Sequence, residues 1–222
     1  IMLGVPAYWR SANGHGDVVN DPMIIELIKD VDIIMPWLVG AYDYDGTVPT
    51  TPRGSFADFF NDRIIDDFTA AESYGVDFCP LIFPGFSDRN MHPDHYVYDR
   101  HSGNFYWQQI YKFINQGARM LYVAMFDEID EGTAIYKCLR KNEVPSNVYS
   151  SDYYVVYENG AYRRSDEPVS VSEGGWCRKA SDLGVTFNGI ENDLESDYYL
   201  RLTGEVGKIL KDQAKLTSNK PF

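Results

Sequence analysis

The stretch FADFFNDRIIDDFTAAESYGVDFCPLIF, residues 56–83, holds the two periodicities that decide the fold. Phe56, Phe59, Phe60, Ile64, Phe68 and Ala71 recur at the spacing of one helix face, and Gly75 follows the last turn, so residues 56–74 are expected to form an amphipathic helix. Val76 to Phe83 is then almost continuously apolar and stops at Pro84-Gly85, as suits a strand covered on both faces of a parallel sheet. A helix followed by a buried strand is the repeating part of an α/β fold.

The alternation extends in both directions. Upstream, Met2 to Ala7 reads as a short strand entering a loop, Asp21 as an N-cap with Pro22 opening a helix through about Lys29, and DIIMPWLV (Asp32 to Val39) as a second buried strand. Downstream, Phe105 to Gln116 is a helix closed by Gly117, with Trp107 at core-like spacing and so expected to be structural, and RMLYVAMF (Arg119 to Phe126) is a fourth strand. Successive βα units of this kind build a parallel sheet, and four of them make half of a (β/α)₈ TIM barrel. Between about Lys141 and Asp182 the pattern lapses. There Asn159-Gly160 lies between alternating segments, the signal of a hairpin, so a hairpin-containing insertion is expected after the last strand. A helical pattern returns from Ser196 to Ala214, with Ser196 as its expected N-cap.

Lys and Arg number 20 against 33 Asp and Glu, a formal charge of −13, and that field repels phosphate backbones and anionic lipid headgroups. Nucleic acid and membrane surfaces are therefore poor partners. The 17 tyrosines combine flat apolar faces with hydroxyls, a mixture that suits neutral ring-shaped ligands such as sugars as well as an aromatic core. Cys79, Cys138 and Cys177 are far apart and lack zinc-ligand spacing, so neither a disulfide nor a structural metal is expected. No apolar run approaches the roughly 20 residues of a membrane span. The chain starts directly on a strand, which reads as a cut end that leaves export open.

In α/β barrels the loops after the strands build the pocket. That rule gathers Tyr8, Trp9 and Arg10 after the first strand and Trp37, Tyr42 and Asp43 after the second. Phe83, Phe86, Ser87, Asp88, Arg89 and Asn90 follow the third, and Asp127, Glu128, Asp130 and Glu131 the fourth. Aromatics that cover C–H faces and polar groups that bind hydroxyls make a carbohydrate-like set. The acids of DEIDEGT (127–133) crowd one another, which raises the pKa of at least one, and a raised carboxyl beside an ionised one divides the labour as glycosidases require. The same spacing also fits a solvated acidic turn or a Ca²⁺ site. His92 and His95 lie in the long third loop as candidate substrate contacts, and His15 lies in the first loop; no third ligand accompanies the histidine pair, so no metal is expected.

FDEIDEGTAIYK (126–137) resembles the F-N-E-W-H-E-G-T signature of glycoside hydrolase family 99, the endo-α-mannosidases, and more closely the bacterial proteins described as family 71/99-like. GVPAYWR, DIIMPWLVG, PLIFPGFSDRN, NFYWQQIYKFINQGARMLYVAM and SDYYLRLTGEVGKIL resemble the second group as well. The resemblance implies that residues 1–222 are the C-terminal half of a glycosidase barrel, its last four βα units. It implies that Glu128 removes the proton of a sugar 2-hydroxyl, in a retaining route through a 1,2-anhydro sugar, and that Glu131 is the general acid/base. Asp127, Ile129 and Asp130 stand where family 99 has Asn, Trp and His.

The expected protein is thus a glycoside hydrolase acting on a polysaccharide or glycan without a cofactor, exported in its full-length form. Glu128 and Glu131 are its catalytic pair, and Tyr8, Trp9, Arg10, Trp37, Tyr42, Phe86, Asn90, Asp127 and Asp130 its substrate contacts. Its expected partners are a carbohydrate substrate and, through open strand edges, either the missing N-terminal half or a second copy. The competing expectation is a carbohydrate-binding protein of the same fold without turnover.

Overall fold

The structure is a computed structural model that describes residues 1–11, 18–45, 54–89, 95–144, 153–179 and 187–222. Strand β1 (Met2–Pro6) pairs in parallel with β2 (Ile33–Trp37), and β2 pairs in parallel with β3 (Asp77–Phe78). Strand β4 (Leu81–Ile82) pairs in parallel with β5 (Tyr122–Val123). β3 and β4 are pieces of one run interrupted at Cys79-Pro80, where proline has no N–H to give a ladder. The run still joins its neighbours, because Cys79 donates to the carbonyl of Ile34 (2.9 Å) and the Pro80 carbonyl accepts from Tyr122 (3.1 Å). Four parallel strand positions therefore follow one another in chain order. They form part of a sheet, and no complete barrel is present among the described residues.

The fourth strand is much shorter than residues 119–126. From Met125 onward the backbone turns to bond its own downstream loop, Met125 donating to the Thr133 carbonyl (3.2 Å) and Ile135 to that of Met125 (3.1 Å).

Helices connect these strands. Helix α1 (Met23–Lys29) starts one residue later than expected, with Pro22 rather than Asp21 at the N-cap position and no side-chain cap, although Asp21 Oδ1 accepts from the Met23 N–H at 2.9 Å. The expected helix over 56–74 consists of α2 (Phe56–Phe59), a π-turn (Phe60–Ile64) and α3 (Ile65–Tyr74). Ser55 caps it, its Oγ accepting from the Asp58 N–H, and Gly75 ends it at φ +72°. Helix α4 (Asn104–Gln116) precedes β5, and α5 (Tyr198–Leu210) lies near the C-terminus. Ser196 does not cap α5 as expected. Asp197 holds that position without a side-chain cap, while the Ser196 carbonyl accepts from Cys138 (2.8 Å) and ties the helix start to the segment after β5.

The larger core gathers Tyr42, Phe56, Phe83, Phe105, Phe113, Tyr199 and Leu202, so that β4, α2, α4 and α5 meet on one apolar mass. A smaller core, with Val5, Ile28, Ile34, Ala71 and Phe78, joins β1, α1 and α3. Trp107 is buried in the larger core, as its helical spacing predicts, and its indole N–H donates to the Thr217 carbonyl (3.0 Å).

Within the expected insertion, β6 (Tyr154–Glu158), β7 (Ala161–Ser165) and β8 (Trp176–Lys179) form an antiparallel sheet in the order β7-β6-β8. Asn159 and Gly160 both take positive φ, +54° and +78°, as a tight hairpin turn requires. The three cysteines are free thiols, and among the described residues no helix is long and apolar enough to cross a membrane.

Candidate active site

The acidic loop after β5 is held by its own backbone. Ala134 donates to the carbonyl of Glu128 (2.9 Å), Tyr136 to that of Phe126 (2.9 Å), and Gly132 turns the chain at φ +63°. Two outside supports fix it further. Ser87, just beyond β4, donates its N–H to the Glu131 carbonyl (2.7 Å). Arg100, itself buried, donates from Nη2 to the carbonyls of Gly132 (2.8 Å) and Ala134 (2.7 Å), with its guanidinium 4.6 Å above the Tyr199 ring. The catalytic candidates therefore stand on a braced turn.

Within that turn the two glutamates differ in environment. Glu128 is half-buried and folds back, Oε1 accepting from the Asp130 N–H (3.0 Å) and Oε2 from that of Glu131 (2.7 Å). Glu131 is also half-buried, and burial first, then the charges of Glu128, Asp88 and Asp130, pushes its carboxyl above the usual glutamate range. One carboxylate is held by amide donors while its neighbour is biased toward the protonated form. That asymmetry is what an acid and its partner need. Asp127 and Asp130 lie exposed on the same loop.

A cleft of about 410 Å³ is lined by Val39 and Gly40 after β2, Phe86 and Asp88 after β4, and His95, Tyr96 and Tyr98. Its back wall is a short antiparallel bridge in which Phe86 and Tyr98 exchange backbone hydrogen bonds at 3.0 and 2.8 Å, and the Tyr98 hydroxyl donates to the Gly40 carbonyl (3.0 Å). Gly85 admits no side chain there, since a Cβ would lie 2.6 Å from Arg100 Cγ and 2.8 Å from the Tyr98 carbonyl. Trp37, at the end of β2, is 40% exposed, in keeping with a rim position.

Several residues expected on the rim lie elsewhere. Trp9 is fully buried, because the turn in which its N–H bonds the Pro6 carbonyl (3.1 Å) sends the indole into the smaller core, edge-on to Tyr74. Tyr42 is also fully buried, packed on Phe56, Phe59 and Phe83, with its hydroxyl donating to Gln109 (3.1 Å). Arg10 is committed to α3 through an ion pair with the buried Asp67, and Tyr8 lies under the Arg63 guanidinium (4.3 Å). Asn90, His92 and His15 fall outside the described residues.

Two supports escaped the sequence reading. Nothing in the local pattern around Arg100 marks it as the brace of a loop some 30 residues later. The pairing of Asp88 with His95, 2.8 Å between Oδ2 and Nδ1, joins residues that sequence distance alone does not single out. Among the described residues no group of three or more His, Cys, Asp or Glu is placed to hold a metal.

No protein-family model and no curated protein matches the chain. Two solved structures of the GH99 endo-α-mannosidase from Bacteroides thetaiotaomicron are similar to it. The one in complex with BIS-TRIS-propane is 17% identical over 82% of this chain and 48% of that one, with a TM-score of 0.45. The other is 15% identical over 94% of this chain and 52% of that one, with a TM-score of 0.46, so the chain spans about half the length of each.

Proposed function

We propose that the chain carries the acid pair of a glycosidase that acts on a neutral glycan or polysaccharide. The observation that supports this most is the asymmetry of the DEIDEGT turn: Glu131 is biased toward its protonated form, and Glu128 is oriented by two backbone amides in the loop that follows a parallel strand. The likeness of FDEIDEGT to the family 99 signature adds to it. In this reading Glu131 protonates the departing glycosidic oxygen as the C1–O bond breaks. Glu128 takes the 2-hydroxyl proton, and the freed oxygen closes on C1 to give a 1,2-anhydro sugar. Water, deprotonated by Glu131, then opens that ring at C1, and Glu128 returns its proton to O2. Each carboxyl ends in its starting state. The full-length protein would act outside the cytoplasm, where polysaccharides are met.

The test is a leaving-group series. Glu131→Gln should abolish turnover of glycosides with poor leaving groups while sparing activated aryl glycosides, which need little protonation; Glu128→Gln should impair both. Equal effects of both variants on both substrates would count against the division of roles. A second reading, carbohydrate binding without turnover, is favoured by one observation: both Glu128 oxygens already serve as backbone acceptors in their own loop. Binding without hydrolysis by the wild-type protein would select it.

A further inference from the structure

We propose that the cleft between Gly40 and Tyr96 is a sugar subsite in which Asp88 orients His95 to bind a ring hydroxyl and Tyr96 covers the sugar's C–H face. The inference rests on the glycosidase reading for its ligand class but on separate residues for its geometry. Asp88 is 8% exposed, its Oδ2 is 2.8 Å from His95 Nδ1, and its Oδ1 has no hydrogen-bond partner among the described residues. A buried carboxylate is costly unless it is bonded, and the bond from Oδ2 to the imidazole both offsets that cost and fixes the ring.

The His95 side chain is 48% exposed, and the bond at Nδ1 puts Nε2 on the opposite edge of the ring. Nε2 accepts a hydroxyl proton when the ring is neutral and donates to a hydroxyl oxygen when it is charged, and a sugar hydroxyl can answer either way. Tyr96 is 51% exposed on the same cleft, and Phe86 lies beside it, half-buried. Flat aromatic faces with a few convergent polar groups, in a volume suited to a small ligand, are the features of a sugar pocket. Ser87 bonds the Glu131 backbone, and the Asp88 charge is among those acting on the Glu131 carboxyl, so the wall that carries Asp88 is joined to the acid loop. Asp88 is a positioning residue and His95 a contact.

The test uses methyl α-glucoside, methyl α-mannoside and methyl α-galactoside as probes, with titration calorimetry for affinity and ¹⁵N spectra of the histidine rings. At least one probe should bind and shift the His95 Nε2 signal, and His95→Ala should weaken its binding about tenfold, the loss of one good hydrogen bond. Asp88→Asn should weaken binding and also change the His95 Nδ1 signal, which a merely structural role would leave alone. Tyr96→Ala, at an exposed position that folding does not need, should weaken binding without touching the His95 signals. Failure of all three probes to bind, or wild-type affinity in His95→Ala, overturns the subsite. His95-dependent binding with no hydrolysis of any glycoside would leave the subsite standing and remove the catalytic reading. Hydrolysis with an unchanged KM in His95→Ala would do the reverse.

Discussion

The carboxylate of Glu128 caps the turn that presents Glu131, its Oε2 accepting the Glu131 backbone N–H at 2.7 Å. The proposed base thus shapes the loop of the proposed acid, and its charge is one of the causes that raise the Glu131 carboxyl.

Glu128→Gln should therefore lower the Glu131 pKa without returning it to the usual value, because burial, the largest cause, remains. The carboxyl carbon shift of Glu131, followed by NMR across pH, reads this directly. An unchanged titration would mean that the two charges do not interact.

Arg100→Met should loosen the same turn. It removes the donor shared by the Gly132 and Ala134 carbonyls and the contact with Tyr199, a loss of about 2–3 kcal/mol in urea unfolding. Amides of residues 128–134 should exchange faster in the variant, whereas those of β2 should not.

The tryptophans separate by burial. Trp9→Ala and Trp107→Ala should each cost about 3–5 kcal/mol, whereas Trp37→Ala should change stability by less than about 1 kcal/mol. Denaturant midpoints at constant slope test this ranking.

Which of these features the sequence foretold depends on the range of the interaction. The helix over 56–74, the Asn159-Gly160 hairpin and the structural role of Trp107 all follow from local periodicity or turn chemistry, and all are present. Trp9 and Tyr42 are buried rather than on the rim because lying beyond a strand end fixes position along the strand but not the direction taken after the next turn. The turn from Pro6 to Trp9 reverses that direction. Arg100 acts through contacts that form only once separate loops meet, and the Asp88–His95 pair through the path of one long loop; no periodicity encodes either. The acid turn stands between these cases: its residues were legible, but the brace that holds them was not.

Asp67 gives a prediction for stability against pH. Burial pushes its carboxyl up to about 6, against the opposing pull of Arg10, Arg63 and the Trp9 indole. With the folded value above the unfolded one near 3.8, this group's contribution to stability is fully present below the unfolded value and is lost as pH rises through about 6. Lowering pH from 7 to 5 should stabilise the wild type through this group by about 1 kcal/mol, of about 3 kcal/mol at most once pH falls below the unfolded value, and Asp67→Asn should flatten that part of the profile. Glu143 and Glu158, whose carboxyls are held low by hydrogen bonds, oppose the trend only in more acidic solution.

The edge of β1 predicts association. Among the described residues β1 pairs only with β2, and Ile1, Met2, Val19, Met23 and Leu27 are exposed on or near β1 and α1. An apolar groove of about 450 Å³ runs between β1 and α1. An open strand edge beside such a surface should draw in a second copy or further strands of a barrel, so light scattering should find the 222-residue chain larger than a monomer. Charged substitutions at Val19 and Leu27 should return it to a monomer.

Hydrolysis of unactivated polysaccharide by the wild type and by Glu131→Gln, followed as the release of reducing ends by the full-length protein, bears most directly on the proposed chemistry. The expected result is release by the wild type and its near-complete loss in the variant, with glycoside binding preserved. Equal release by both proteins would contradict the role given to Glu131.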